Sequence, residues 1–525
     1  MKPPFIRQPR TFERHRTREH GVTMVLVAIA MVSIIAIAAL SIDVITLYLA
    51  REEGQRSADA AALAAARVLS VTGMTGDPTN SSTRWSAVCG GMSSAASQAA
   101  QAVGMQNSVG GPAPTVTVTY RAGNGDTMSP GNPDCTQLAA STAFGVNPIV
   151  VVQVQQPSLP TFFSRIWGTT GNSVTVTASA EAYNPSNSSN SGNVATGTLI
   201  PVQPRCVKPW AVPNQDPLHP GPNPNPIGPG LVYCNQPNAG NPGACNPIVN
   251  LASGAIQHPG ISLNGSGTSG IIGENFWLNP DCETNSVSCI IRRNPPQANY
   301  DNLSGFMKGP GQPTNAANLV FATGQVGTPV TAVPSCASGD DFESAIAGCD
   351  SPANYTCGLP AGSPGSTNIV DLRESPDTEI ANGVSCLIHQ TDLVTVTDTT
   401  GQDYLNHHLT SFGAPSEYPY QILAGGSNPL VRAGLSLGTP ISVSSSIVSL
   451  PIYDESIGNL SAATTPVTFV GFLQVFINAV DQNGNINVTV LNVTGCSNGN
   501  GSGVPLSTTP ISGTSPVPVR LITAP

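Results

Sequence analysis

The sequence predicts an α+β protein in three parts. A transmembrane helix at the amino terminus continues outward as a long helix, a small α+β domain follows, and then a β-rich, loop-rich region containing disulfides. Three observations carry this. Val22–Ile42 runs through 21 residues without a charge, long enough as a helix to cross about 30 Å of hydrocarbon. Beyond it, TVTVTY, IVVVQVQ and SVTVTASAEAY alternate in strand fashion. All 12 cysteines lie past the apolar run.

The residues ahead of that run hold Lys2, Arg7, Arg10, Arg14, Arg16 and Arg18 against Glu13 and Glu19. Basic flanks stay on the cytoplasmic side, so 1–20 reads as a cytoplasmic tail and everything after about Leu49 as extracytoplasmic. A cleaved secretory signal is the alternative, with Ala36-Ile37-Ala38 as a small-x-small cleavage site. Such signals have an apolar core of only about 7–15 residues. Both readings place the bulk of the chain outside the cytoplasm.

Past Asp43 the chain reads VITLYLAREEGQRSADAAALAAARVL, rich in strong helix formers. Only Gly54 interrupts it, at about 1 kcal/mol relative to Ala. One helix is expected over about 22–69, about 72 Å long at 1.5 Å per residue. Ala58, Ala62, Ala65 and Ala66 give its outer half a small-residue face. Either another helix approaches there or the helix packs on its own domain. Asp43 is a candidate for contact with headgroups or a neighbouring chain, or simply marks the end of the span.

Residues 71–183 read as the small α+β domain, with a helix at Ser93–Val103 and strands at Thr115–Tyr120, Ile149–Gln155 and Ser173–Tyr183. Leu159–Trp167 reads as a short aromatic helix able to cover the sheet. NPSNSSNSGNVATG at 184–197 reads as a linker. In the Pro/Asn/Gly-rich, cysteine-containing stretch 198–440, ordered islands are expected at Cys206–Trp210, Asn275–Leu278 and Leu393–Asp398. A β-rich region follows over 441–500, where Val467–Val480 and Ile486–Val493 flank Asn483-Gly484, a strong hairpin signal. Residues 501–525 read as a loose tail.

Charged residues are 10% of the chain, against about 25% in ordinary soluble proteins. The net charge of −10 divides into +4 over the first 20 residues and −14 beyond them. The chain has three lysines (Lys2, Lys208, Lys308), and an acidic exterior with so few argues against nucleic-acid binding. No CxxC occurs, and the cysteines' position beyond the membrane run favours disulfides over metal or redox chemistry. Cys89 and Cys135 stand alone ahead of the Ser/Asn-rich break and form the one pair the sequence names. Connectivity among the other ten is not deducible.

No catalytic constellation is legible, and no cofactor or metal is expected. Gly434-Leu435-Ser436-Leu437-Gly438 fits GxSxG, but Thr439-Pro440 and a strand-like run follow where a nucleophile elbow needs a helix. Asp481-x-Asn483-x-Asn485 resembles the start of a calcium loop yet has Ile486 in place of Gly and Asn492 in place of the bidentate Glu. His407-His408 has no acidic or Cys neighbours at metal-ligand spacing.

Gly21 ahead of the apolar run, Asp43 at its end, Tyr48, Arg51 and then Ala58-Asp59-Ala60-Ala61-Ala62-Leu63-Ala64 form an ordered set. With this set, residues 21–69 closely resemble the amino-terminal segment of Tad/Flp pilus-assembly proteins of the TadE/TadG-like family. The strand–aromatic helix–strand pattern of 149–183 is similar to the extracytoplasmic part of such proteins. The resemblance implies a structural, non-enzymatic protein of the bacterial inner membrane, single-pass with its amino terminus in the cytoplasm. It also implies a pilin-like small domain, and as partners the lipid bilayer and other pilus-assembly or pilin-like proteins. Candidate helix-contact residues are Asp43, Tyr48, Arg51, Ala58, Asp59, Ala62 and Ala65.

Two departures from the family matter. Members processed by a prepilin peptidase carry Glu at the fifth position after the cleavage Gly; here it is Leu26, which counts against cleavage between Gly21 and Val22. TadG-like members often carry a von Willebrand A domain with a DxSxS metal site. Asp454-Glu455-Ser456-Ile457-Gly458 lacks the final Ser and is followed by too little chain. A membrane-tethered or secreted surface adhesin with a disulfide-stabilised β-rich ectodomain is the alternative function.

Overall fold

A computed structural model describes residues 20–79, 83–107, 109–111, 113–123, 131–138, 144–159, 171–190, 200–216, 218, 247–251, 253–262, 270–280, 300–301, 306–307, 318–324, 334–337, 341–349, 355–357, 369–371, 377–393, 401–406, 421–454, 465–496 and 510–523. The first element, α1 (His20–Val71), is one continuous helix of 52 residues, about 78 Å long at 1.5 Å per residue. Gly54 does not break it. A Cβ at Gly54 would lie 3.1 Å from Val176 Cγ2, so the missing side chain lets the sheet approach the helix.

Helices α2 (Ser86–Cys89) and α3 (Ala95–Gln106) follow, then β1 (Thr115–Arg121), β2 (Ile149–Leu159) and β3 (Asn172–Ala182). The three strands form an antiparallel meander, with Val116 opposite Val154 and Val154 opposite Val176. Period-2 alternation buries Val116, Val118 and Tyr120 while Thr115 and Thr117 face out. The inner face packs on the outer half of α1 and on α3. A disulfide joins Cys89 to Cys135, Cα atoms 5.4 Å apart, with both residues fully buried.

The stretch expected as a linker is ordered where described. It contains α4 (Pro185–Asn190), and Asn184, Ser186 and Asn187 are buried. Such residues cannot supply an apolar core, but buried amides are stable once their hydrogen bonds are made, and here they are. Residues 191–199 lie outside the described residues.

Beyond it come β4 (Val202–Pro204), β5 (Trp210–Pro213), β6 (Asn275–Pro280), β7 (Tyr300–Asp301), β8 (Phe306–Met307), β9 (Asn318–Gly324), α5 (Asp341–Ala347), β10 (Ile369–Asp371) and α6 (Asp377–Ile388). The chain continues through β11 (Tyr404–Leu405), β12 (Ile422–Leu423), α7 (Pro429–Arg432), β13 (Pro440–Ile441), β14 (Ile447–Tyr453), β15 (Thr465–Pro466), β16 (Phe469–Val480) and β17 (Ile486–Gly495). Its last elements are β18 (Ile511–Gly513) and β19 (Val519–Ile522).

The largest sheet runs β15-β10-β9-β5-β14-β16-β17-β6, and β6 also pairs with β9. Six of its strands therefore close into a barrel (β9, β5, β14, β16, β17, β6), a closure that leaves these strands no free edge. Every residue of β16 and β17 is buried, so both faces of the central hairpin are covered. The two strands meet at Asp481–Asn485, with Gly484 at φ 73°, a conformation open to Gly at no steric cost. Three further disulfides join Cys206–Cys349, Cys336–Cys386 and Cys357–Cys496. Beside the first, Lys208 is buried and donates from Nζ to the carbonyls of Ile346 and Gly348, each at 2.6 Å, capping the C-terminal end of α5.

The expected loose tail is also corrected over 510–523. Strand β18 pairs in parallel with β4, and β19 adds antiparallel to β3, with Val519 opposite Ala182. The amino-terminal sheet thus has four strands, the last supplied from the far end of the chain. Its backbone satisfies hydrogen-bonding groups of β3 that would otherwise stand at an edge. Fully buried Val517 holds it down. One core cluster includes residues of α1, the four-stranded sheet and the barrel.

Candidate functional site: an exposed apolar helix and its buried joint

The chemistry of α1 changes along its length. From Val22 to Leu40 its large apolar side chains stand in the open: Met24 is 78% exposed and Ile34 67%. Ser33 and Ser41 turn their hydroxyls back to the carbonyls of Ile29 and Ile37, at 2.8 and 2.9 Å. Such back-bonding leaves no polar group reaching outward in an apolar medium. The described part therefore contains a helix long and apolar enough to cross a membrane, hardly covered by the rest of the chain.

Coverage begins along one line. Ala39 and Asp43 are each 5% exposed and Ala50 2%, with Gly54, Ser57, Ala58, Ala61, Ala62, Ala65, Ala66 and Leu69 buried beyond them. Spacings of three and four residues put these on one face of the helix. The opposite face stays open at Ile45, Tyr48, Leu49, Arg51, Glu52 and Arg56. There Glu52 and Arg56 form an exposed ion pair at 3.8 Å.

This arrangement divides the seven candidate contact residues. Ala58, Ala62 and Ala65 are fully buried within their own chain. The helix that approaches the alanine face is α3, through Ser57 Oγ, which donates to Gly104 O at 2.9 Å. A Cβ on Gly104 would lie 3.5 Å from Ala61 Cβ. Asp43 is enclosed as well, with 5% of its surface exposed. Asp59 is half-buried and accepts from Gln55 Nε2 at 2.7 Å. Tyr48, 68% exposed, and Arg51 remain open to solvent or a partner. Gly21 and Val22 lie near the exposed start of the helix.

Residues 21–68 match the family described as "Putative Flp pilus-assembly TadE/G-like". The match covers the exposed part of the Tad-like helix and nearly all of its buried part. No curated protein and no solved structure matches the chain.

The Tad-like helix enters the body through a joint of buried amides and hydroxyls. Asn492 Nδ2 donates to Ser70 O at 2.9 Å and to Thr75 Oγ1 at 3.0 Å. Asn184 Nδ2 donates to Val493 O at 2.8 Å, and Thr494 Oγ1 donates to Asn184 Oδ1 at 2.7 Å. Asn187 Nδ2 bridges the carbonyls of Thr75 and Gly145, at 2.9 and 3.0 Å. On the other side Ser70 Oγ donates to Val517 O at 2.7 Å. Buried hydrogen bonds thereby link the helix end, the segments next to the four-stranded sheet and β17.

Sequence reasoning missed this joint because Asn, Ser and Thr between strands read as loop. The one available signal was their placement inside alternating segments, as with Asn492 and Thr494 in LNVTG.

The chemical motifs resolve into structure. Ser436 sits in a turn, accepting through its carbonyl from Thr439 Oγ1, and β13 rather than a helix follows. Asp481 uses its carboxylate on the hairpin, accepting from the backbone N–H groups of Asn483 and Asn485 and from Asn485 Nδ2. Among the described residues no group of three or more His, Cys, Asp or Glu could hold a metal. Residues 160–170, 407–408 and 455–458 lie outside the described residues, and with them most of the expected aromatic helix, the His pair and most of the DxSxS-like stretch.

Proposed function

We propose that this protein is a membrane-anchored structural component of Tad/Flp pilus biogenesis, set in the bacterial inner membrane with residues 1–20 in the cytoplasm and the body outside. One observation carries the reading. The helix that matches the pilus-assembly family is bare and apolar at one end, and at the other is locked into a rigid body with no break between. Such a helix transmits position and force from bilayer to body. Helix α1 laid along a four-stranded antiparallel sheet serves as a pilin-like unit, and the disulfide-linked barrel serves as its outer extension. Tyr48 and Arg51, on the open face just above the apolar run, make the contact with other pilus-assembly or pilin-like proteins.

Three measurements test this. Protease added to spheroplasts should digest the body and spare the amino-terminal tail; the reverse pattern would discard the topology. A photo-crosslinking residue at position 48 should capture an inner-membrane pilus-assembly or pilin-like protein. If position 48 captures only lipid while the body alone binds an external surface ligand, the adhesin reading replaces assembly. The amino terminus of the mature chain separates a retained anchor, beginning near Met1, from processing between Gly21 and Val22.

A further inference from the structure

The four described disulfides are not equally open. Cys89 and Cys135 are fully buried, and Cys496 leaves only 2% of its surface to solvent opposite half-buried Cys357. Cys206 and Cys349 are both half-buried, beside capped helix α5. Cys336 is the exposed cysteine of the eight, and its partner Cys386 on α6 is 8% exposed. Both line an open pocket of about 550 Å³ together with Glu343, Ser385, His389 and Ser427.

We propose that Cys336–Cys386 is the exchangeable disulfide of the body, a site of thiol–disulfide exchange with an external dithiol protein. The thiolate of the dithiol attacks the sulfur of Cys336, the more exposed of the two residues. The Cys336–Cys386 bond breaks, and its electron pair leaves on Cys386 Sγ, which takes a proton from pocket water. The second thiol of the dithiol then attacks its own sulfur in the mixed disulfide, and Cys336 leaves as thiolate and is protonated. The body gains two electrons and two protons, and the dithiol becomes a disulfide. Cys386 is the more buried of the two, so the mixed disulfide forms on Cys336.

Helix α6 does not depend on the bond. Ile380, Val384 and Ile388 are fully buried, and Gln390 holds the following turn to Val480 by donating to its carbonyl at 2.8 Å and accepting from its N–H at 2.9 Å. Opening therefore releases residues 334–337 and widens the pocket while the barrel stays closed.

The test uses the full-length protein in detergent with dithiothreitol at rising concentration, followed by alkylation and peptide mass spectrometry. Alkylation of Cys336 and Cys386 is expected at least about tenfold sooner than at the six cysteines of the other three described disulfides, with the far-ultraviolet circular dichroism unchanged. Prior opening of any of the other three described bonds, or opening only together with loss of structure, overturns the proposal. A thioredoxin-fold dithiol protein with its resolving cysteine replaced by serine should be trapped on Cys336. Trapping on Cys386, or no trapping in wild type while free dithiothreitol opens the bond, overturns the assignment of a protein dithiol. A C336S/C386S double variant should lose the trap and keep its fold.

Discussion

Asn492, in the middle of β17, donates its side-chain amide to the backbone carbonyl of Ser70, 2.9 Å away in the last turn of α1. That bond joins the barrel to the helix, and it is fully buried. Leaving a buried carbonyl without its donor costs about 1–3 kcal/mol. Asn492→Leu should therefore destabilise the body by about that amount, with a lower midpoint in denaturant titration of the detergent-solubilised protein. An unchanged midpoint would mean that helix and barrel are not coupled through this residue.

The two faces of α1 should respond oppositely to substitution. Ala62 is fully buried within its own chain, where added methylenes force neighbours to move. Ala62→Leu should cost about 1–3 kcal/mol and lower the thermal midpoint. Tyr48→Ala, on the open face, should stay within about 0.5 kcal/mol of wild type. Any defect it shows should be in partner capture rather than in folding.

The carboxy-terminal strand can be tested in two steps. Arg520 pairs with Glu181 and lies over the ring of Tyr183, 4.8 Å from its centroid. This contact is partly open to solvent, so Arg520→Ala should cost about 1 kcal/mol or less. Deleting 510–525 removes the whole strand and buried Val517, and should open β3 to rapid proteolysis. Equal protease resistance of the truncated and full chains would mean the strand adds nothing to the sheet.

His389 sets an acid limit. Burial, and then the charge of Arg432, hold its imidazole below the ordinary value of 6.5, partly opposed by Asp403. The unfolded chain therefore binds the proton first. The contribution of His389 to stability is complete above about pH 6.5 and is lost as pH falls through that lowered value. Its backbone is left-handed, φ 62°, a conformation Asn tolerates. His389→Asn should flatten the slope of stability against pH below about 6.5. Persistence of the wild-type slope in this variant would assign it to another group.

Some of this was legible in residues alone. A charge-free run of 21 residues admits few structures besides an exposed apolar helix, because a helix satisfies its own backbone wherever it lies. The strands β1, β2, β3, β16 and β17 follow from period-2 alternation, and the hairpin at Asn483-Gly484 from the one residue type that turns there freely. Cys89 and Cys135 could be paired because nothing else competed for them in that part of the chain. The alanine face of α1 was visible as well, but not what covers it. An alanine stripe has the same pattern whether its neighbour is α3 or another molecule.

Sequence by itself thus determined the long apolar helix, its continuation and the alternating strands, since these depend on local period and solvent preference. Tertiary structure decided the enclosure of Asp43, the closing of β6 onto β9, and the return of β19 to β3. It also decided the joint where Asn184, Asn187 and Asn492 are buried with their hydrogen bonds made. Each depends on groups up to several hundred residues apart meeting in space. Polar side chains and unpaired strand edges take their meaning from such partners, which no local pattern encodes.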